Sequence, residues 1–334
     1  QPKTLTQTPE FRLFIIAVAV FGLMALLSPD RFLSEQNLTS MAFQFPEFAV
    51  LALAMTIAMM TGGIDLSVVG VANLSAVIAA LVLKHYAGAD VTGAEAVLWL
   101  VLAVVLALSV GALAGLCNGA LVAFLGLPPI LATLGSGLVF TGFAIAMTGG
   151  SAVFGLPDIV SVIGNDTIFG VPVPLLIFAV LAVGLHLLLT RTAFGLRVTM
   201  YGANPLAALY AAININAMLL RVYVAAGMLA SVAGLIVMSR ANSAKADYGS
   251  SYLLLAVLIA VLGGVNPYGG YGRVIGVVLA VLSMQFLSSG LNMLQVSNFA
   301  RELIWGGLLI FVMVLNSRVL AESGVNPLNR RKRA

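Results

Sequence analysis

Charge is the scarcest property of this sequence. Of its 334 residues only 8% are Asp, Glu, Lys or Arg, whereas a soluble domain carries about 25%. No polar segment is long enough to make a separate soluble domain, so a nucleotide-binding domain has no place within these residues. The phosphate-cradling pattern G-x-x-x-x-G-K-[ST] is also missing. Any ATP chemistry must therefore come from a partner. Cysteine occurs once, at Cys117 in an apolar run, which excludes an internal disulfide and reads as a small packing residue. The two histidines, His85 and His186, lie far apart without a cysteine or carboxylate cluster, so no metal site is expected. Neither an HExxH pattern nor a Ser, His and acid set is present, and no enzymatic step is assigned to the chain.

What fills the space is apolar. Hydrophobic residues make up 61% of the chain. They form many runs of the length that a bilayer-spanning helix needs, roughly 20 residues. Runs this long predict helices rather than a barrel, because helices satisfy their own backbone within lipid. The fold class read from the sequence is thus all-α, a polytopic transmembrane bundle of about ten spans. They are placed at 11–28, 43–61, 66–84, 96–124, 130–148, 173–190, 218–239, 252–263, 272–290 and 301–317. The fourth is long enough to tilt or break, and the eighth is too short to cross alone. Residues 1–334 read as a single transmembrane domain. The polar start, Gln1 to Arg12, lacks a signal-cleavage pattern, so the first span is expected to be retained.

Orientation follows from the positive charges. With a cytoplasmic N-terminus, inside segments hold Lys3, Arg12, Arg191, Arg197, Arg221, Arg273, Arg318, Arg330, Arg331, Lys332 and Arg333. Outside segments hold Arg31, Lys84, Arg240, Lys245 and Arg301. Eleven against five favours both termini inside. The net charge of +4 is then a topology signal rather than a sign of nucleic-acid binding. The tail Arg330-Arg331-Lys332-Arg333 suits a lipid-facing anchor.

Glycine is the other abundant feature, at 34 residues. Gly111, Gly115 and Gly119, and the pair Gly306-Gly307, suggest close helix packing. Two glycine runs also interrupt apolar stretches. The first is Thr61-Gly62-Gly63-Ile64-Asp65-Leu66-Ser67, where an acid sits near the bilayer as a pathway group or as a cap for the third span. The second runs from Gly263 and Gly264 through Asn266 to Gly272 and repeats the pattern with Asn in place of Asp, which suggests an internal duplication. The loop of about 190–217 is the third feature. Asn204 and Pro205 suit an N-cap and first turn. Leu206 to Ile213 then reads as a short apolar helix that needs a groove on a partner or the membrane interface. The outer loop Arg240 to Ser251 reads as solvated, with a delivered ligand or docking protein as the other option. The spans hold almost no titratable groups at mid-depth, so proton coupling and a buried ionisable pair are not expected. Such a pair would favour the alternative, a secondary transporter or channel for a small polar solute.

These segments are similar to those of the monosaccharide ABC-importer permeases, a family that includes ribose, rhamnose and autoinducer-2 permeases. The resemblance is carried by GGIDLS at 62–67, LPPILATLG at 127–135, AFGLRVTMYGANPLAALYAAI at 193–213 and GGVNPYGGYG at 263–272, in that order along nearly the whole chain. It implies a ten-helix permease of the type II importer fold in the bacterial inner membrane. It further implies a cytoplasmic ABC ATPase that holds ATP and Mg, a second permease subunit and a periplasmic solute-binding protein. By similarity, Gly195, Arg197, Gly202, Asn204, Pro205 and Ala208 belong to the segment that couples to the ATPase. Gly62, Gly63, Asp65, Ser67, Gly263, Gly264 and Asn266 match the helix breaks or the pathway.

Three departures stand out. An extra valine before Gly70 would rotate that glycine by about 100° around a helix, away from its packing position. Ala212 replaces a glycine that usually ends the coupling segment. Leu253-Leu254-Leu255 stands where many members carry Glu-Leu-Asp, a loss of acids also seen in the second permease of the autoinducer-2 system. That loss favours one half of a non-identical permease pair.

Overall fold

The computed structural model describes residues 9–322, with side chains described for 10–297 and 299–314. Expectations for Lys3, Arg318 and the tail Arg330 to Arg333 concern positions whose side chains lie outside that description. The described chain is almost entirely helical. Helices α1 (Pro9–Leu27), α2 (Pro29–Phe32), α3 (Glu35–Met59) and α4 (Val68–Val82) come first. They are followed by α5 (Gly93–Ala123), α6 (Pro129–Thr148), the short α7 (Ser161–Asn165) and α8 (Val173–Arg191). The loop helices α9 (Ala193–Ala203) and α10 (Pro205–Tyr210) precede α11 (Ile215–Ala241), α12 (Tyr252–Leu262), α13 (Val274–Met293) and α14 (Asn298–Glu322). Between α7 and α8 a two-residue hairpin, Thr167–Ile168 with Val171–Pro172, turns at Phe169-Gly170.

Among the described residues, eight helices are long and apolar enough to cross a membrane. The expected ten are not reached by that measure. The eighth expected span is an eleven-residue helix, Tyr252–Leu262, and the tenth falls on α14. The expected fourth span, long enough to tilt or break, does not break: α5 is one helix of 31 residues.

Helix α3 sits at the centre and is buried continuously from Phe45 to Met59. Its small residues Ala49, Ala52, Ala54 and Ala58 have no exposed surface. In lipid, where burial of apolar area drives little association, such residues let backbones approach and gain dispersion contacts. The same device joins α5 to α11. A Cβ on Gly111 would fall 2.3 Å from the Gly227 carbonyl oxygen, and one on Gly115 would fall 2.2 Å from that of Tyr223. Gly306 and Gly307, expected to serve likewise, face open space. Gly70 corrects the rotation argument: it lies against α6, where a Cβ would meet the Gly137 carbonyl oxygen at 2.7 Å. The extra valine is absorbed because α4 starts only at Val68, so the helix has no earlier register to preserve. Polar side chains tie the core sparingly, as in the Ser75 to Ser231 hydroxyl pair at 2.9 Å between α4 and α11.

The connections sort to two ends. At one end, the breaks after α3 and α12 meet the α9–α10 loop. At the other, Val153 pairs with Ala244 in an isolated antiparallel bridge, and Asn165 Nδ2 donates to the Ser239 carbonyl at 3.2 Å. Lys245 and Asp247 form an exposed ion pair there at 2.8 Å. The hydrogen bond to Asp247 holds the Lys245 ammonium above the ordinary lysine value.

Candidate functional site

The first break is a buried polar knot. Asp65 and Ser67 are both buried. The backbone N–H and the hydroxyl of Ser67 both donate to Asp65 Oδ1, at 2.9 and 2.6 Å. Asp65 thus caps the start of α4, while the Ser67 side chain makes no cap bond. The network continues outward. Asn118 Nδ2 of α5 donates to Ser67 Oγ at 2.7 Å, and Ser136 Oγ of α6 donates to Asn118 Oδ1 at 2.5 Å. The Leu66 N–H donates to Thr133 Oγ1 at 3.0 Å. Gly63 is pressed against Pro129 and the Tyr223 hydroxyl, both 2.9 Å from where a Cβ would stand. That hydroxyl is buried without a hydrogen-bond partner. Through Ser67 the acid joins a network that ties the start of α4 to α5 and α6.

The second break repeats the first in chemistry. The Tyr268 N–H donates to Asn266 Oδ1 at 3.1 Å, two residues along, as Ser67 does to Asp65. Asn266 Nδ2 also donates to the Gly269 carbonyl at 2.9 Å. The glycines are used differently. Gly62 takes the left-handed φ of +83° in the first break, whereas Gly264, the second glycine of its pair, takes it in the other. Gly263 instead packs flat on α13, where a Cβ would lie 2.7 Å from the Val277 Cα.

The loop of about 190–217 holds a pair of helices, α9 and α10. Thr192 Oγ1 accepts from the Gly195 N–H at the start of α9. Gly195 lets α9 fold back on α8, since a Cβ would fall 2.0 Å from the Leu189 carbonyl oxygen. Asn204 caps α10 as the sequence suggests, accepting from the N–H groups of Leu206 and Ala207 at 3.1 and 3.2 Å. Pro205 opens the helix, which ends at Tyr210 rather than reaching Ile213. The stop is Ala212, held at φ +55°. The resemblance leads to a glycine being expected here, and a left-handed backbone favours that residue. Ala208 is fully buried, while Leu206, Leu209 and Tyr210 are 65%, 58% and 87% exposed. Arg197 is exposed beside Arg221 and Asn214 around a small cavity of about 140 Å³.

These three segments touch one another, which sequence spacing did not indicate. Gly202, at the end of α9, is wedged between the two breaks. A Cβ there would come 2.0 Å from the Met60 carbonyl oxygen and 2.3 Å from the Gly270 nitrogen. The Gly270 N–H donates to the Met60 carbonyl at 3.0 Å. A Cβ on Gly62 would stand 3.1 Å from the Tyr268 carbonyl oxygen. Backbone meets backbone at every contact, and only glycine permits such approach.

One group contradicts the expectation of no buried ionisable pair. Glu47, at mid-length of α3, is 6% exposed. Arg240 Nη1, near the end of α11, donates to its Oε1 at 2.5 Å, and Tyr252 Oη donates to its Oε2 at 2.8 Å. The pair was missed because its partners lie 193 residues apart. Helix α3 itself begins at Glu35, ahead of the expected span start at 43. Leu255, one of the three leucines of the acid-for-leucine departure, lines the cavity beside this pair.

Known proteins resemble this chain along most of its length. The family described as branched-chain amino acid transport system, permease component, matches residues 37–313. The Autoinducer 2 import system permease protein LsrD of Enterobacter sp. (strain 638) is 33% identical over 311 residues, covering 91% of each chain. The protein of the same name from Klebsiella pneumoniae subsp. pneumoniae is 34% identical over 328 residues, 96% of this chain and 95% of that one. That of Yersinia enterocolitica is 33% identical over 308 residues, 90% of this chain and 88% of that one. No solved structure matches the chain.

Proposed function

This chain belongs to the permease-component family of branched-chain amino acid transport systems, and from that premise we propose that it works as the membrane-spanning permease subunit of an ATP-driven importer for a small sugar or sugar-like solute. It is a multi-pass membrane protein that acts as a translocation component. The relatives named for autoinducer 2 import favour the monosaccharide-type branch over amino acid transport.

The observation that carries the mechanism is the Gly202 wedge. A cytoplasmic ATPase, which holds ATP and Mg, grips the outward apolar side chains of α10. As the ATPases close, α9 moves, and Gly202 has no side chain to yield between the breaks. The motion therefore passes into the starts of α4 and α13 together. Alternating access follows from tilting those two helices against α3. In this reading Gly195, Arg197, Gly202, Asn204, Pro205 and Ala208 shape the ATPase surface. The segments around Gly62, Gly63, Asp65, Ser67, Gly263, Gly264 and Asn266 are the driven hinges.

The rest of the assembly follows from the same reading. The whole of residues 1–334 forms one transmembrane domain in the bacterial inner membrane. Both termini are cytoplasmic, supported by the eleven-to-five division of Lys and Arg. A periplasmic binding protein delivers solute to the end opposite the knot. Leu253-Leu254-Leu255 supports a non-identical second permease as partner.

Reconstitution tests this. Vesicles holding the chain, its ATPase and a second permease should accumulate labelled solute only with ATP and the binding protein. Uptake without either would overturn the proposal. A second reading, a secondary transporter or channel, gains support from the Glu47–Arg240 pair and predicts that ATP-independent result.

A further inference from the structure

At the end opposite the glycine knot, α3, α11, α12, α13 and α14 line a half-open cavity of about 620 Å³. That volume falls within the range of small-molecule sites, about 300–1,000 Å³. Its wall is built rather than incidental. Glu47, Arg240 and Tyr252 are already tied to one another in it. Each Glu47 oxygen accepts one hydrogen bond from that trio, and an ionised carboxylate offers about four acceptor sites. The Arg240 Nε–H is buried without a hydrogen-bond partner, and a buried donor left unpaired is costly. Both ends of the pair thus hold capacity that the protein does not use.

The charges in the wall cancel. Glu47 and Glu302 face Arg240 and Arg301, two negative against two positive. A net charge on the occupant would gain nothing overall, whereas hydroxyl groups could donate to the carboxylate and accept from the guanidinium. Gln285 adds an amide from α13, and Trp305 adds an apolar ring face from α14. Amphipathic rings of this kind suit a ligand with one apolar and one polar side. A sugar ring offers that combination, with C–H groups on its face and hydroxyls at its edge.

We propose that this cavity is a binding site for a small, uncharged polyhydroxylated solute inside the single subunit, with Glu47 and Arg240 as its hydrogen-bonding wall and Trp305 as its apolar floor. The assignment rests on the import reading for the choice of solute class. The site receives solute at the end where the loops 149–172 and 242–251 lie.

The chain reports on the site directly, because it has two tryptophans, Trp99 and Trp305. Full-length Trp99→Phe protein in lipid vesicles leaves Trp305 as the only indole. D-ribose, L-rhamnose and autoinducer 2 are titrated against its fluorescence without ATP. At least one should give a saturable change, and both Glu47→Gln and Ser288→Phe should raise the apparent Kd at least tenfold. Ser288 lines the cavity from α13 and takes no part in the ion pair, so the two variants do not share a folding risk. No saturable change with any of the three probes overturns the proposal, as does a Kd unmoved by both variants. If the variants weaken only association with a solute-binding protein and leave sugar binding intact, the cavity is a docking socket and the proposal fails. Binding that survives while the full assembly shows no ATP-driven uptake would sink the import reading and leave the site standing.

Discussion

The two ends of the bundle are made of different material. At one, Gly62, Gly202 and Gly270 bring three backbones into contact with almost no side chain between them. At the other, around the cavity, long side chains stand off from one another, joined by a charged pair and a phenol. Backbone contacts transmit displacement because little in them can rotate aside. Side-chain contacts can be remade around a guest. The contrast separates a part suited to being pushed from a part suited to being filled.

The sharpest way to break this contrast is to add a side chain at the knot. Gly202→Val should destabilise the protein by about 3 kcal/mol or more, because overpacking against backbone has no rotamer to absorb it. Its control is Gly142→Ala in α6, where a Cβ meets open space and the melting midpoint in detergent should hold or rise. If the two variants melt alike, the knot is not rigid.

At the other end, Glu47→Ala leaves Arg240 without its carboxylate. Breaking a buried pair costs about 3–5 kcal/mol, but Arg240 keeps a 24% exposed side chain, so about 1–3 kcal/mol is expected after screening. A cycle with Arg240→Ala, read by denaturation, should return a coupling of the same sign. Additive single effects would mean that the pair is not formed.

Next comes the cap. Asn204→Leu with Pro205→Gly should cost about 1–2 kcal/mol locally and weaken ATPase co-purification while membrane insertion stays normal. Retention of the ATPase at wild-type levels would remove α10 from the coupling role. A smaller change of opposite sign is expected from Ala212→Gly. Relieving a left-handed alanine should stabilise the loop by about 1 kcal/mol, seen as slower proteolysis between α10 and α11. The smallest effect belongs to Lys245→Ala, whose exposed pair should leave the midpoint unmoved.

Much of this was legible in the sequence where the signal is local. Span positions follow from apolar runs, the α10 start from Asn204-Pro205, and the break chemistry from Asp65 and Asn266. The losses have physical causes. The start of α3 was placed late because Glu35, Asn37 and Gln44 are polar, although Asn37 is buried and donates to the Phe32 carbonyl. The Gly202 wedge was unreadable because its partners, Met60 and Gly270, are chosen by backbone shape and not by residue chemistry. The same holds for Glu47 and Arg240, which no periodicity links.

The length of α5 reaches further than its own packing. At 31 residues it measures about 46 Å, against a hydrocarbon layer of about 30 Å, so it must lean or protrude. Through Gly111 and Gly115 it is locked to α11, whose first turn adjoins the coupling loop. A thinner or thicker bilayer would change the lean of α5 and, with it, the resting position of that loop. The lipid composition of the host membrane would then act as a mechanical load on transport, set by acyl-chain length rather than by any ligand.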